Sequence, residues 1–466
     1  MAKPLLYLIN PRNLLEKISR SRMWNKLRVW PPLSIMTVAG LAPRSSWDVE
    51  IIDENLEVFD YDRMRRPTLV GITAFTCQAT RAYEVASIFR GMNVPVVMGG
   101  IHTSLCPAEA EKFCDAIVTG EAESVFATVL DDVLQGRLQR RYSGVYRDPF
   151  TTAPARHDLV KGKYLLGALQ TGRGCPLNCK FCSVTSFNGS RFRRRPIDEV
   201  LDEAEMISAN TIFFSDDNLI GTRKDDIAYS KELFRRMIAR GFKKSWTAQL
   251  TINFADDEEL LQLARDSGCI AVYIGFESPD PEILKEMHKQ YNLRFGPKSY
   301  QRAVRRIHEM GIGVTGNFIV GSDRDKPGVA DMIVRSVDEC GIDGSPFTTM
   351  TPLPGTELFN QIAREGRLIL NDYPQDWMYY NLVYPTFGYK NFTWSELHDE
   401  IERLYQGLLG SRWHIVSRAL RTLRDTGSPR TALLYLLANL NYRNNWRLYD
   451  SISQTIAPRE GVIQTV

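Results

Sequence analysis

The sequence of 466 residues contains no apolar run long enough to cross a membrane. Its longest apolar stretch near the C-terminus, LLYLLANL at 433–440, is far shorter than the ~20 residues that a spanning helix needs. The start, MAKPLLYLINPRN, has a short apolar run followed by polar residues, which predicts a buried strand rather than a signal peptide. We therefore expect a cytoplasmic protein without a transmembrane segment.

A strong net charge is also lacking, since the formal value is only +3, and no nucleic-acid partner is expected from the overall charge. The local basic run RFRRRPIDEV at 191–200 is interpreted as solvated arginines near an anionic site, followed by a helix start at Pro196. No G-x-G-x-x-G motif follows the first predicted strand, which argues against a nicotinamide-binding domain.

Two series of alternating apolar strands and helical patterns predict an α/β protein. The first series fills residues 1–140 and predicts five strands, at 5–10, 49–53, 69–75, 95–100 and 116–120. This pattern is typical of a doubly wound, Rossmann-like domain, whose ligands bind beyond the carboxyl ends of the strands. Thr73, Gly99 and Gly100 lie at such ends, and the glycines either admit a ligand or simply make tight turns.

A polar linker at 141–164 separates this domain from the second series, at 165–355. Six strands are predicted there, near 166–171, 211–215, 245–250, 271–276, 314–320 and 346–350. Six β/α units indicate a partial barrel, short of the eight that close one. Residues 356–466 predict a helical C-terminal domain whose aromatic residues, among them Trp377, Tyr379, Tyr380 and Trp394, suit either a core or a bulky apolar substrate.

Three of the eight cysteines share one short segment, RGCPLNCKFC at 173–182. Cys175, Cys179 and Cys182 follow the first barrel strand, where β/α barrels build their active sites. Structural zinc needs a fourth ligand, and neither a second C-x-x-C nor an H-x-x-x-H pair is present. A 4Fe-4S cluster held by three cysteines instead leaves one iron open for a substrate or cofactor, and we favour it over zinc.

This cysteine spacing, with Phe181 before the third cysteine, resembles the signature of the radical S-adenosylmethionine superfamily. Weaker motifs in the right order extend the resemblance over roughly 165–360: IFFSDDN at 212–218, IGFES at 274–278, GNFIVGSD at 316–323 and TPLPGTEL at 351–358. The resemblance implies that the three cysteines hold the cluster and that S-adenosylmethionine chelates its fourth iron. Reduction by a one-electron donor such as flavodoxin or ferredoxin would then yield a 5′-deoxyadenosyl radical.

The same resemblance implies a set of cofactor-binding residues. Ser215, Asp216 and Asp217 replace the family's commoner Gly-Gly-Glu near the methionine amino group. Glu277 and Ser278 would face the ribose, and the glycine motif with Gly316, Asn317 and Gly321 would lie near adenine. Each acid, taken singly, also suits a helix cap or a solvated turn. No catalytic residue is assigned.

The N-terminal domain is similar to the cobalamin-binding-like domains of one branch of this superfamily, through PPLSIMTVAGLAP at 31–43, VMGGIHTSLCPAEAE at 97–111 and VTGEAES at 118–124. No D-x-H-x-x-G motif follows the first strand, so the sequence offers no histidine as a lower cobalt ligand. Either cobalamin binds here, with Thr73, Gly99 and Gly100 as contacts, or the domain is only structural.

The resulting expectation is a radical enzyme, favoured as a cobalamin-dependent methyltransferase acting on an unactivated carbon of a small or lipid-like molecule. Two alternatives stay open. One is a cyclase or oxidoreductase whose first domain binds no cobalamin, and the other is a non-catalytic cobalamin or iron-sulfur sensor.

Overall fold

A computed structural model describes residues 3–16, 30–148, 150–296 and 299–453, with the side chains of 295 and 445–453 excepted. Within these residues the chain forms two six-stranded parallel sheets and one two-stranded antiparallel sheet. The predicted α/β class, with two successive parallel-sheet domains and a helical C-terminal region, is therefore confirmed.

The first sheet has the strand order β2-β1-β3-β4-β5-β6. Its strands are β1 (Leu5–Asn10), β2 (Asp48–Asp53), β3 (Leu69–Thr73), β4 (Val96–Gly99), β5 (Ala116–Thr119) and β6 (Arg141–Ser143). Its helices are α1 (Leu33–Leu41), α2 (Ala79–Gly91), α3 (Gly100–Leu105), α4 (Pro107–Ala110) and α5 (Phe126–Leu134). The apolar strands are buried on both faces, as in other parallel sheets whose two faces are covered by helices.

The sixth strand of this sheet was not expected, because Arg141–Ser143 falls in the predicted linker. It pairs in parallel with β5, and only its central residue is buried. The hydroxyl of that residue, Tyr142, donates to Asp132 Oδ2 at 2.8 Å. A three-residue edge strand with two exposed positions carries too little apolar pattern to be recognised from the sequence.

The second sheet has the strand order β14-β13-β12-β11-β10-β7. Its strands are β7 (Gly167–Leu169), β10 (Thr211–Phe214), β11 (Ser245–Leu250), β12 (Cys269–Glu277), β13 (Gly313–Val320) and β14 (Phe347–Thr349), close to the six predicted. Its helices are α7 (Ile197–Met206), α8 (Lys224–Ala239), α9 (Glu258–Asp266), α10 (Pro281–Glu286), α11 (Gln290–Phe295), α12 (Tyr300–His308) and α13 (Val329–Cys340). The small sheet of β8 (Gly172–Arg173) and β9 (Arg193–Arg194), with α6 (Val184–Asn188) between them, frames the cysteine segment.

The C-terminal region consists of α14 (Glu357–Arg364), α15 (Trp394–Tyr405), α16 (Arg412–Thr426) and α17 (Pro429–Ser453), with a short 3-10 helix at Gln375–Tyr379. The last 13 residues of the predicted helical domain, 454–466, lie outside the described residues. A search of the described helices finds none that combines the length and apolar character needed to span a bilayer.

Helix α17 closes the amino-terminal end of the barrel with one aromatic side chain. The Tyr435 ring lies against Gly313, at the start of β13, and Gly344, where a Cβ would be 3.0 Å from the ring. Its hydroxyl lies 3.0 Å from Thr315 Oγ1 inside the barrel. The two glycines thus leave the room that the ring occupies, and the side chain is 3% exposed.

We predict that Tyr435→Ala lowers the free energy of unfolding by about 3–5 kcal/mol, because it empties a site enclosed by backbone that cannot collapse. The measurement is urea denaturation of the full chain. Leu433→Ala, on the exposed side of the same helix, is the control and should change stability by no more than about 0.5 kcal/mol. Equal losses in the two variants would contradict this account of the barrel floor.

Candidate functional site

The three cysteines of the signature lie on a loop between β8 and α6, and all three are half-buried. The loop is held to its surroundings by backbone hydrogen bonds. Lys180 N donates to Met287 O at 3.2 Å, and Leu358 N donates to Lys180 O at 3.0 Å. Gly174 begins the loop at φ +94°, and a Cβ there would overlap the Arg191 carbonyl. Contacts from three separate parts of the chain therefore fix the loop's shape.

The three thiols are close enough to influence one another's ionisation. Burial raises the pKa of Cys175 to about 11 and that of Cys182 to about 12, and burial also raises the pKa of Cys179. In the described part of the chain, no three metal-ligating side chains are grouped tightly enough to surround a single ion. A 4Fe-4S cluster does not need that arrangement, because each of its cysteines binds a different iron.

A buried ion pair lies beside the cysteines, between Glu277 at the end of β12 and Lys289 before α11. Lys289 Nζ is 2.6 Å from Glu277 Oε1, and both side chains are at most 10% exposed. Burial opposes the lysine's charge, yet Glu277, Cys179 and Cys182 together raise the pKa of Lys289. The ammonium group therefore contacts the predicted ribose-facing carboxylate and is near enough to two predicted cluster ligands to be affected by their charge. The sequence analysis missed this lysine, because a single lysine after a helix carries no distinguishing pattern.

A β-bulge presents Glu277 to this site. The register between β12 and β13 shifts between Gly275 and Glu277, and Glu277 adopts φ +64°, a left-handed conformation that is costly for a residue with a Cβ. Asn292 Nδ2 holds the bulge by donating to Gly275 O at 2.9 Å and Phe276 O at 3.2 Å. A Cβ on Gly275 would approach Lys289 Nζ to 3.0 Å, so the ion pair packs directly on the glycine backbone.

The three polar residues after β10 have different surroundings. Ser215 Oγ donates to Leu169 O at 3.2 Å. Both oxygens of Asp216 accept from Thr171, at 2.7 Å from Oγ1 and 3.0 Å from N, so this side chain serves the framework. Asp217 accepts from Asn188 Nδ2 at 3.0 Å, and burial raises its pKa to about 6. Asp217 is also near enough to Cys175 and Cys182 to act on their ionisation, so it is the carboxylate of this motif that adjoins the cysteine loop.

Of the remaining predicted residues of the barrel, Gly316, Asn317 and Ser278 lie on the second sheet or just after it, whereas Phe181 and Gly321 line a cavity. Gly316 is a packing glycine, since a Cβ there would lie 2.9 Å from both Ile342 and Phe276, whereas the neighbouring Asn317 is half-buried. Ser278 Oγ accepts from Asp280 N at 3.1 Å, near the start of α10. Phe181 and Gly321 meet in one small cavity, whose wall also includes Met287, Ser322, Met350, Leu358 and Phe387.

Thr73, Gly99 and Gly100 come together at the carboxyl edge of the first sheet. Thr73 and Gly99 are paired across β3 and β4. Gly100 has φ +88°, and a Cβ there would lie 2.5 Å from Thr73 Oγ1. All three residues are half-buried, and Phe75, two residues after Thr73, is 65% exposed beside them. A small-residue edge with an exposed ring fits a large flat ligand, as cobalamin would be.

His102 in α3 does not supply a free imidazole for cobalt. Its ring is fully buried, with Nε2 3.1 Å from Tyr83 Oη and 3.3 Å from Glu109 Oε1. Nδ1 lies 3.4 Å from Thr76 Oγ1. Because both ring nitrogens have protein partners, this histidine is a structural one, in keeping with the missing D-x-H-x-x-G motif.

Buried ion pairs join the first domain to the cysteine loop. Glu121, after β5, accepts from Arg193 Nη1 at 2.9 Å and forms an ion pair with Arg173 at 3.1 Å, and all three side chains are at most 15% exposed. Arg173 also pairs with Glu123 at 2.7 Å. The interpretation of the 191–195 arginines as solvated is wrong for Arg193 and Arg195, which are 6% and 3% exposed, whereas Arg191 is exposed. Arg195 pairs with Glu203 at 2.8 Å, and the partner of Arg193, Glu121, lies 72 residues away, which the local pattern could not reveal.

The four aromatic residues of the C-terminal region that the sequence analysis named are packed against protein and do not line a pocket. Trp377 is 2% exposed and donates through Nε1 to Glu109 Oε1 at 2.9 Å in the first domain. Tyr380 and Trp394 are equally buried and donate to the carbonyls of Leu370 and Phe387. Tyr379 is half-buried and adjoins the Tyr384 ring. These contacts remove the support that this aromatic stripe gave to a bulky substrate.

A different group of rings faces the barrel interior, and the sequence analysis did not identify it. Phe213 and Tyr273 alternate with Phe214 and Ile274, which are buried against the helices, so they project to the other side of the sheet. Trp30, from the first domain, places its ring centroid 4.3 Å from Phe213 and 6.4 Å from Tyr273. Trp30 is 40% exposed, so neighbouring side chains do not cover this aromatic wall completely.

Two family models match the chain, one in each of its two parallel-sheet domains. The Radical SAM superfamily model matches residues 169–332, and the B12 binding domain model matches residues 27–130. Among curated relatives, a bacteriochlorophyllide d C-12(1)-methyltransferase of Chlorobaculum tepidum is 30% identical over 402 residues, which are 83% of this chain and 84% of that protein. A hopanoid C-2 methylase of Rhodopseudomonas palustris is 28% identical over 352 residues, 73% of this chain and 66% of the methylase.

Solved structures agree with the fold. The radical S-adenosylmethionine methyltransferase TsrM of Kitasatospora setae, with cobalamin and a 4Fe-4S cluster bound, has a TM-score of 0.67 at 18% identity, covering 87% of this chain and 89% of TsrM. The cobalamin-dependent enzyme OxsB, with aqua-cobalamin and S-adenosylmethionine bound, has a TM-score of 0.66 at 14% identity, covering 99% of this chain and 72% of OxsB.

A partial barrel with three cysteines after its first strand, fused to a parallel-sheet domain, defines an S-adenosylmethionine-dependent iron-sulfur enzyme. The chain belongs to the radical S-adenosylmethionine superfamily, in the branch that carries an N-terminal B12-binding domain. Its cofactors are accordingly a 4Fe-4S cluster and S-adenosylmethionine, and the donor set of three thiols beside a buried ammonium group suits an anionic cluster.

We predict that Glu121→Ala lowers the free energy of unfolding by about 3–5 kcal/mol, because it leaves Arg173 and Arg193 buried without their shared carboxylate. Denaturation of the full chain measures the effect. Glu111→Ala removes a surface pair with Arg141 in the same domain and should cost far less. If the two variants lose equal stability, the buried pairs do not hold the domains together.

We also predict that Lys289→Met weakens S-adenosylmethionine binding at least tenfold, because Glu277 loses the cation that orients it. Equilibrium dialysis with the reconstituted protein measures the dissociation constant, and iron content per chain is determined in parallel. Lys289→Arg keeps the charge and should restore most of the affinity. An unchanged dissociation constant in Lys289→Met at equal iron content would contradict a positioning role.

Proposed function

We propose that this protein transfers a methyl group to an unactivated carbon of an apolar, ring-containing molecule bound inside the barrel. The proposal depends mainly on one observation, the partly exposed wall of Trp30, Phe213 and Tyr273 that faces the barrel interior. Aromatic side chains bury large apolar ligands effectively, and flat rings stack on them.

The names of the relatives support methyl transfer as the reaction. Two curated relatives are methyl-transfer enzymes named for a hopanoid and a bacteriochlorophyllide, both ring systems, and TsrM is titled a methyltransferase. A cyclase or oxidoreductase without cobalamin has less support, because the B12 binding domain model matches residues 27–130. A sensor has less support because named activities accompany these relatives.

The chain's own residues suggest how the cofactors are held. Cys175, Cys179 and Cys182 would bind the cluster, and Asp217 beside them suits the amino group of S-adenosylmethionine. Glu277, oriented by Lys289, and Ser278 suit the ribose hydroxyls. Phe181 and Gly321 are proposed to border the adenine ring at the protein surface, since the cavity that they share, about 10 Å³, has room only for a water molecule.

The N-terminal domain would bind the third cofactor. Thr73, Gly99 and Gly100 at the sheet edge, with exposed Phe75, form the surface proposed for cobalamin, which carries methyl groups when bound. Since His102 is engaged by Tyr83, Glu109 and Thr76, this surface would bind cobalamin without a histidine on the metal.

The proposed reaction is balanced by two molecules of S-adenosylmethionine and two electrons from an external donor. One molecule yields methionine and 5′-deoxyadenosine, which retains the hydrogen taken from the substrate carbon. The second yields S-adenosylhomocysteine, and its methyl group replaces that hydrogen. The two electrons neutralise the two sulfonium charges. No proton is released or consumed.

The test is anaerobic reconstitution with iron, sulfide and cobalamin, followed by incubation with dithionite, methyl-deuterated S-adenosylmethionine and apolar extracts of the source cells. We expect 5′-deoxyadenosine, S-adenosylhomocysteine and a deuteromethylated apolar product, all detected by mass spectrometry. Cys175→Ala should lose 5′-deoxyadenosine, whereas Cys114→Ala, at a buried cysteine of the first domain, should retain it.

Two results would overturn this function. Formation of 5′-deoxyadenosine without S-adenosylhomocysteine would indicate a radical reaction other than methyl transfer. Absence of both products from an iron-loaded, reduced sample would favour a sensor.

A further inference from the structure

We propose that the outer face of the C-terminal helical hairpin, formed by α16 and α17, binds the surface of anionic lipid membranes. The inference depends only on the surface of the hairpin and is independent of the substrate of the barrel. The two helices would lie along the membrane surface and would not cross the bilayer.

The inner face of the hairpin is fixed to the barrel by polar contacts from both helices. Thr422 Oγ1 in α16 donates to Asp343 Oδ1 at 2.5 Å, and Arg421 donates to Ile342 O at 2.7 Å. Tyr435 and Thr431 in α17 contact Thr315 and Gly311 on or beside β13. Residues two positions further along a helix point about 200° away, so each helix has a defined side facing away from the barrel.

That outer side carries five large apolar residues. Leu420 is two residues after the inward-facing Arg418, and Leu433 and Leu437 are each two residues after the inward-facing Thr431 and Tyr435. The exposed fractions of the five side chains are Trp413 72%, Leu420 57%, Leu423 38%, Leu433 55% and Leu437 54%. Single exposed apolar residues are ordinary on protein surfaces, whereas five on one hairpin indicate an interaction surface.

The charge of the hairpin selects the kind of partner. Residues 411–444 contain six arginines, one aspartate and no glutamate, although the whole chain carries only +3. Arg412, Arg424 and Arg430 are exposed next to the apolar residues, with Arg424 paired to Asp425, while the other three arginines bond inward to Asp338 or to backbone carbonyls. An apolar face with exposed tryptophan and flanking arginines is typical of helices that lie in the membrane interface, and the charge favours anionic lipid.

The test is co-sedimentation of the full chain with vesicles of phosphatidylglycerol and phosphatidylcholine or of phosphatidylcholine alone. We expect at least tenfold tighter binding to the anionic vesicles, weakening as salt concentration rises. The double variant Leu420→Glu/Leu437→Glu should bind them at least tenfold more weakly. The matched control Leu134→Glu/Met206→Glu changes two residues of similar exposure elsewhere and should stay within twofold of the unmodified chain.

Circular dichroism and thermal melting establish that each variant is folded, and no cofactor is needed, so the outcome is independent of the methylation assay. Failure of the unmodified chain to bind anionic vesicles overturns the proposal, as does equal binding by Leu420→Glu/Leu437→Glu. A dimer in sedimentation velocity that this variant abolishes, without vesicle binding, would assign the face to a second copy of the chain. If the chain binds vesicles only after residues 454–466 are deleted, the occupant of the outer face is the chain's own C-terminal segment.

Discussion

The buried carboxylate of Glu121 is the contact on which the arrangement of the two domains depends. It forms an ion pair with Arg173, two residues before the first cysteine, and accepts from Arg193, on the strand that returns from the cysteine loop. A buried carboxylate with two arginines is stable only when all three groups are in place, since removing one strands the others in a poorly solvating interior. The first domain and the cysteine loop are therefore positioned together.

A second concentration of charge lies on the other side of the same loop. Lys289 contacts Glu277 and lies near Cys179 and Cys182, while Asp217 lies near Cys175 and Cys182. The bulge at Gly275 and the left-handed Glu277 are strained features that Asn292 and Lys289 hold in place. Backbone strain of this kind persists where the surroundings over-determine it, which is common at functional sites.

Local pattern was enough to predict the cysteine segment and the strands of both six-stranded sheets except Arg141–Ser143, because buried parallel strands are continuous apolar runs and the cysteine spacing is rare. It was not enough to predict the roles of Lys289, Arg193 and Trp30, because their partners in the fold lie 12, 72 and more than 180 residues away in sequence, respectively. For the C-terminal aromatics, the sequence left core and substrate contact as alternatives. In the structure Trp377 and Tyr380 lie in the core, where their polar atoms bond to Glu109 and to the Leu370 carbonyl.

Trp30 belongs to the first domain, yet its ring completes a wall of the second. The two domains are consequently not interchangeable modules, although each matches its own family model. Under the proposed function, grafting the first domain of a relative onto this barrel would place a different side chain beside the bound substrate. The substrate preference of the barrel would then depend on a residue that precedes it by more than a hundred residues.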